Sequence, residues 1–239
     1  MKLLAFDTST DTLSVALSDG DRVWQHTGPG AAQASRTLIP SILDLLAQAG
    51  LKLAELDALV FGRGPGSFTG LRTACSVAQG LALGAKLPVL PLDTLLAVAE
   101  EARFLRQPDA DALQFTALLD ARMDEMYVQR FAWAHGTWAT LDTCTLRRPE
   151  DFVPPTSDTL LAGNVFTAYA GRLPAWPAAQ CFDVLPTASA MLRLAPALLA
   201  AGHAVDAAAA LPLYVRDKVA LTAEERARVK AQAALDSPS

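Results

Sequence analysis

The stretch Gly62-Arg63-Gly64-Pro65-Gly66-Ser67-Phe68-Thr69-Gly70-Leu71-Arg72 lies between the apolar run Ala58–Phe61 and the small-residue segment Thr69–Ala85. A short apolar run that ends in a glycine cluster and opens into a helical pattern is a strand–turn–helix unit, the signature of an α/β protein. Glycines at alternate positions, 62, 64 and 66, free the backbone for positive φ and let amide N–H groups converge on one point. The helix start behind them adds unpaired N–H groups and the positive end of its dipole. Ser67 and Thr69 can cap that helix or offer hydroxyls to an anion. Two readings stay open: a phosphate cradle formed by Gly64, Gly66, Ser67 and Thr69, or a tight turn that only packs strand against helix. The spacing fits neither the Walker pattern, for want of Gly-Lys-Ser/Thr, nor Gly-x-Gly-x-x-Gly with an acidic ribose ligand.

Upstream, Lys2–Asp7 reads as a buried strand and Leu13–Ser18 alternates apolar and polar residues as a second strand. Asp19-Gly20 is a hairpin signal, and Arg22–His26 returns as a third strand. The chain opens on an antiparallel meander, where a plain dinucleotide-binding unit has a helix after its first strand. After the loop Gly28–Gly30, a helix runs from a Ser35 cap to about Ala49 and stops at Gly50. Downstream of the glycine turn come the helix Thr69–Ala85, a strand at Pro88–Leu90 and a helix at Asp93–Arg103. The order βββαβαβα defines a domain over residues 1–105.

Arg106–Asp111, with Pro108, reads as a linker to a smaller α/β domain over residues 106–220. Its strands are Phe115–Leu119, Met126–Trp133 and Trp138–Leu141, the last two joined by a turn at Ala134–Thr137. The loop Arg148–Asp158 precedes a strand at Thr159–Ala162, a short helix at Asn164–Gly171, a helix at Ser189–Ala201 and a last strand at Leu213–Val215. A polar helix at Thr222–Ala234 and a tail complete residues 221–239. No internal repeat is visible in the sequence.

Composition excludes several classes. The chain has 239 residues, 51% of them hydrophobic, and a formal net charge of −5. No basic patch stands out, so autonomous RNA binding is not expected. The most apolar region, Ala195–Tyr214, is broken by His203, Asp206 and Pro212 and spans no membrane. The opening apolar run Leu3–Phe6 is far too short for a signal-peptide core. Cys75, Cys144 and Cys181 form no metal knuckle or disulfide framework, so a reducing cytoplasm is expected. His26, His135 and His203 are scattered, so no metal site is expected.

Two further segments could carry chemistry. At Asp7-Thr8-Ser9-Thr10-Asp11-Thr12 the short hydroxyls could hold a phosphate and Asp7 a hydrated Mg²⁺, or the segment is an ordinary turn. At Asp120-Ala121-Arg122-Met123-Asp124-Glu125-Met126-Tyr127 the paired acids could be catalytic, or they form a hairpin tip with Asp124 in a left-handed conformation. The helices have their own signature. Leu38, Ile39, Ile42, Leu43, Leu45 and Leu46 make a stripe wider than burial on one side requires. Small residues between Ala74 and Ala85, among them Gly80 and Gly84, let a neighbouring helix approach closely.

Asp7–Leu17, Gly62–Arg72, Ala78–Ala85, Asp120–Tyr127 and Pro212–Ala220, in this order, resemble the bacterial TsaB (YeaZ) family. The resemblance is dense over the first hundred residues and patchy beyond. It implies an actin/Hsp70/sugar-kinase-like (ribonuclease H-like) fold of two related α/β domains. It implies a non-catalytic role in making threonylcarbamoyladenosine in tRNA, as heterodimer partner of a catalytic TsaD-type paralogue, with a TsaE-type ATPase as third subunit. tRNA would be met only through the complex, and no cofactor is intrinsic. The resemblance leaves open whether ATP or ADP sits near Asp7, Thr8, Ser9 and the glycine turn in the complex, and whether the lone chain is a monomer or a homodimer. It places the partner interface on the outward faces of the two helices, with Leu38, Ile42, Leu71, Cys75, Ala78 and Ala82 as candidate contacts. The paralogue's two metal-binding histidines fall near Thr94 and Val98, so its metal site is missing. Two positions depart from the pattern: Ala34 replaces a frequent histidine, and Asp124 a usual glycine. The rival readings are a kinase or ATPase of the same superfold and a metallopeptidase. The first needs a glycine after Asp7 and after Asp120, where this chain has Thr8-Ser9 and Ala121-Arg122. The second needs histidines that the chain lacks.

Overall fold

Residues of a strand point alternately to its two faces. In β1 (Lys2–Asp7) Leu4 and Phe6 therefore face one way and Leu3 and Ala5 the other, and all four are buried. A strand apolar on both faces belongs at the centre of a covered sheet, and β1 occupies that place. The computed structural model describes residues 1–30, 33–107 and 109–216. The expected helix Thr222–Ala234 and tail lie outside these residues.

β1 pairs antiparallel with β2 (Thr12–Asp19), which pairs antiparallel with β3 (Arg22–Pro29). On its other side β1 runs parallel to β4 (Ala58–Gly64), and β4 to β5 (Val89–Asp93), giving the order β3-β2-β1-β4-β5. Helix α1 (Ala34–Ala49) and helix α2 (Phe68–Ala85) cover the Leu4–Phe6 face. Gly50 ends α1 in the left-handed conformation, as expected. Ser35 is not its cap: Ala34 is already helical, so Ser35 lies inside the first turn.

Helix α3 (Thr94–Arg106) leads into the second half. There β6 (Ala112–Asp120) pairs antiparallel with β7 (Met126–Ala134), and β7 with both β8 (Thr137–Thr140) and β9 (Thr145–Arg147). β6 also runs parallel to β10 (Leu160–Gly163), and β10 to β11 (Cys181–Asp183). The order β8-β7-β6-β10-β11 repeats that of the first sheet, pairing sense included. The second half is thus a structural copy of the first, as the family resemblance implies, without a visible sequence repeat. Helix α4 (Val165–Ala168) replaces the long α2, and helix α5 (Ala188–Ala200) follows β11 as α3 follows β5.

The sheets divide the strands at residue 106, but the helices cross that line. α5 packs on the first sheet, with Ala190, Met191 and Leu194 against Leu3, Ala5 and Val60. α3 packs on the second sheet, with Leu95, Val98 and Ala102 against Phe115, Ala117 and Leu119. Each half of the chain thus lends its last helix to the sheet of the other. Leu213–Val215 is no strand: behind Pro212, which has no N–H to donate, it makes one backbone bond to the described residues, from Leu213 N to Arg63 O at 2.7 Å.

The exchanged helices meet on Glu100, which is 2% exposed. Its carboxylate accepts two bonds from Arg103 at 2.9 Å, one from Arg193 of α5 at 2.8 Å and one from Trp138 Nε1 of β8 at 3.0 Å. Arg193 also reaches Glu101 at 2.6 Å. Burial raises the Glu100 pKa, but these donors outweigh it and hold the carboxyl below its ordinary value. A lowered carboxyl contributes stability above the unfolded-state value, near 4.5, and loses it as pH falls through the folded-state value. Glu100→Ala removes the acceptor that Arg103, Arg193 and Trp138 share and is expected to cost about 3 kcal/mol in urea unfolding at pH 7. The penalty should shrink on acidification below about pH 4.5; a penalty independent of pH there would place the stability elsewhere.

Candidate functional site

The glycine turn joins β4 to α2 and lies directly against the end of β1. A Cβ on Gly62 would collide with the Asp7 carboxylate, one on Gly70 with the Thr8 carbonyl, and one on Gly66 would fall 2.5 Å from the Ser9 carbonyl oxygen. Ser67 N donates to that same Ser9 oxygen at 2.7 Å, and the Thr8 hydroxyl donates to Gly70 O at 2.7 Å. Ser67 caps α2, its hydroxyl accepting from Gly70 N at 3.4 Å. Gly64 alone of the turn's glycines has positive φ, at 116°. Gly66, a candidate for positive φ, is constrained by close approach instead.

Asp7 is fully buried beneath this turn. Its Oδ1 accepts from Ser9 N at 2.8 Å and from the Ser9 hydroxyl at 2.6 Å, and its Oδ2 from the Thr94 hydroxyl at 3.2 Å. Burial raises its pKa, against the lowering effect of those three donors. Thr94 therefore holds Asp7 down, and Val98 sits in the core between α3 and the second sheet. The expected phosphate set divides accordingly. Ser9, Gly66 and Ser67 line a cleft of about 260 Å³ between the halves. Asp7, Thr8 and Gly64 are buried outside its lining, and Thr69 faces solvent on α2.

The other wall of the cleft is the β6–β7 turn with Asp120, Ala121, Arg122 and Met123. Arg122, Met123 and Asp124 all take positive φ, at 59°, 55° and 60°. Asp124, expected to be left-handed, is joined there by its two predecessors. Its carboxylate accepts from Arg172 at 2.7 Å, which gives the side chain a partner where a glycine would have none. Asp120 accepts from Arg122 N at 2.8 Å and from the Tyr169 hydroxyl at 2.7 Å. Arg122 reaches across the cleft to pair with Asp11. The acids of this segment are engaged in holding the turn and its partners. Arg122 and Arg216 are the cleft residues that motif reading passed over; the spacing offers no sign that either would cross to the opposite element.

The helix faces need a correction. Leu38, Ile42, Leu71, Cys75, Ala78 and Ala82, expected on the outside, are all buried, and all but Leu71 pack between α1, α2 and the first sheet. They are the inward stripe of each helix. The outward faces carry Ile39, Leu43 and Leu83, which are 44%, 57% and 78% exposed, with Gly80 and Gly84 in open space. The excess width of the α1 stripe was the available signal, since Ile39 and Leu43 are one helical turn apart. Among the described residues no group of three or more His, Cys, Asp or Glu side chains could hold a metal ion, and no helix is long and apolar enough to cross a membrane.

Residues 29–152 match the family model of TsaD, the tRNA N6-adenosine threonylcarbamoyltransferase. The chain is 34% identical over 235 residues to the tRNA threonylcarbamoyladenosine biosynthesis protein TsaB of Escherichia coli (strain K12), covering 92% of this chain and 96% of that one. The Haemophilus influenzae protein of the same name is 34% identical over 238 residues, covering 92% and 95%. Among solved structures, YeaZ from Pseudomonas aeruginosa superimposes with a TM-score of 0.80 at 37% identity, over 89% of this chain and 99% of that one. The two-sheet architecture is that of the actin/Hsp70/sugar-kinase type.

Two substitutions separate packing from ligand binding. Asp7 has a raised pKa, so folding loses stability as pH rises from the unfolded value, 3.8, through the folded one, and the cost is complete above that window. Asp7→Asn removes it, and stability at pH 7 should rise or hold within about 1 kcal/mol; a larger loss would mean that the charge itself is required. Gly66→Val forces a branched side chain onto the Ser9 carbonyl and should cost about 1–3 kcal/mol in the same urea assay.

Proposed function

The chain belongs to the TsaB (YeaZ) family of tRNA threonylcarbamoyladenosine biosynthesis proteins, and on that premise we propose that it is a non-catalytic scaffold subunit, the heterodimer partner of a TsaD-type transferase. The outward face of α1 and α2 carries this reading. Large exposed aliphatic side chains on two neighbouring helices are an unfinished core, and the open glycines at 80 and 84 let a partner helix approach to backbone distance. The TsaE-type ATPase joins the assembly as a third subunit, and tRNA is reached through the complex, in keeping with the net charge of −5.

The β1 end supports a role without chemistry of its own. Asp7, the residue best placed by sequence to hold a hydrated cation, is covered by Ser9, Thr94 and Gly62. The amide of Ser67 is engaged by Ser9. We assign any adenine nucleotide to the assembled complex and none to the lone chain.

Leu83→Arg tests the surface. Leu83 is 78% exposed, so the variant should fold with an unchanged melting temperature. An unpaired charge buried against a partner costs about 3–5 kcal/mol, so the complex with the transferase should weaken at least about a hundredfold. Co-elution of the variant with the transferase on size exclusion at wild-type strength would place the contact elsewhere. Isothermal titration of the lone chain with ATP and Mg²⁺ is expected to show no binding heat; saturable heat would favour the kinase reading.

A further inference from the structure

Residues Leu211–Arg216 carry the chain across the mouth of the cleft and are fastened at both ends. On the first half, Leu213 N donates to Arg63 O, and the Leu213 carbonyl lies 2.7 Å from where a Cβ on Gly64 would stand. The glycine at 64 thus makes room for this segment. The Tyr214 ring packs on Phe68 at a centroid distance of 5.2 Å, and its hydroxyl accepts from Arg72 Nε at 3.2 Å. On the second half, the half-buried Val215 packs against the core between α3 and the second sheet. Arg216 donates through Nη2 to Glu125 Oε2 at 2.6 Å and to the carbonyls of Ala121 and Arg122, each at 3.3 Å, while its Nη1 lies 2.8 Å from Met123 Sδ.

Among the described residues, every acceptor of Arg216 belongs to the turn whose residues 122–124 are left-handed. That backbone is costly for residues with a Cβ, and three in succession persist only where their surroundings over-determine them. Here one guanidinium spans the turn: it meets carbonyls at its entry and a carboxylate at its exit. Charge-assisted bonds of this kind are among the stronger ones a side chain makes.

We infer that Leu211–Arg216 is an intramolecular strap that holds the left-handed turn 122–124 in shape and, by tying it to the glycine turn, fixes the width of the cleft. The Arg122–Asp11 pair closes the same gap from the other side. Two-lobed folds of this architecture have the freedom to hinge at such a cleft; the strap removes it, so both walls stand as one rigid surface.

Amide exchange followed by NMR tests the strap. Ala121 N donates to Glu125 O at 2.9 Å and Glu125 N to Arg122 O at 3.2 Å, so both amides report on the turn. The His135 amide, bonded to Asp111 O at 3.0 Å in the neighbouring hairpin, is the internal reference. Tyr214→Ala removes contacts at the first-half end alone, since its ring and hydroxyl partners are Phe68 and Arg72. It is expected to speed exchange at Ala121 and Glu125 at least about tenfold over His135, and Arg216→Ala at least as much. Unchanged exchange in Tyr214→Ala would mean that the turn holds itself and would overturn the strap. Equal acceleration at His135 would mean general loosening and would overturn it as well. Should Arg216→Ala fail to fold, Tyr214→Ala decides alone.

Discussion

Glu100 accepts from its own helix, from α5 and from β8, and the architecture turns on that junction. Each half of the chain lends its last helix to the sheet of the other, so one face of each sheet is covered by the other half. A carboxylate 2% exposed is tolerable only where its donors replace water. Arg103, Arg193 and Trp138 supply them, and Arg103 in turn lies over the Trp133 ring at 4.2 Å. Exchange of helices thereby makes folding of the two halves interdependent, with the polar junction fixing how α3 crosses α5.

The two sheets share one strand order, yet the equivalent strand ends have diverged. β1 and β6 both finish in an aspartate that accepts from the amide two residues on, Asp7 from Ser9 and Asp120 from Arg122. After Asp7 the chain meets a long glycine turn pressed against it. After Asp120 it makes a left-handed turn that stands clear and is held by arginines from elsewhere: Arg172 on Asp124 and Arg216 on Glu125. One end has become packing, and the other has become a wall of the cleft.

Much of the fold was legible because strong periodicities and punctuation carry it. Alternation marked β2, Asp19-Gly20 the first hairpin, Gly50 the end of α1, and the glycine turn the start of α2. β9 and β11 were missed because three residues show no period, and the kinship of the two halves came only from the family resemblance, because topology does not require similar side chains. Site residues were harder for a different reason. Leu38 and Ile39 are equally apolar, and only the direction of each side chain decides which is core. Gly66 and Gly70 could be read as loop glycines, but their reason lies at Ser9 and Thr8, about sixty residues away in sequence. The roles of Arg122 and Arg216 arise from contacts between elements that no local pattern announces.

The cover over Asp7 has a consequence for what this scaffold can become. Ser9 occupies one carboxylate oxygen, Thr94 the other, and Gly62 leaves no gap between β4 and the side chain. These residues come from three separate elements, and each conceals Asp7 without help from the rest. Replacing Ser9 or Thr94 would free one carboxylate oxygen and leave the other engaged, with a buried acid that has lost a donor, and any side chain at position 62 would press on Asp7 instead of opening it. The site behaves as a ratchet: small packing steps could close it, but only several simultaneous changes could open it.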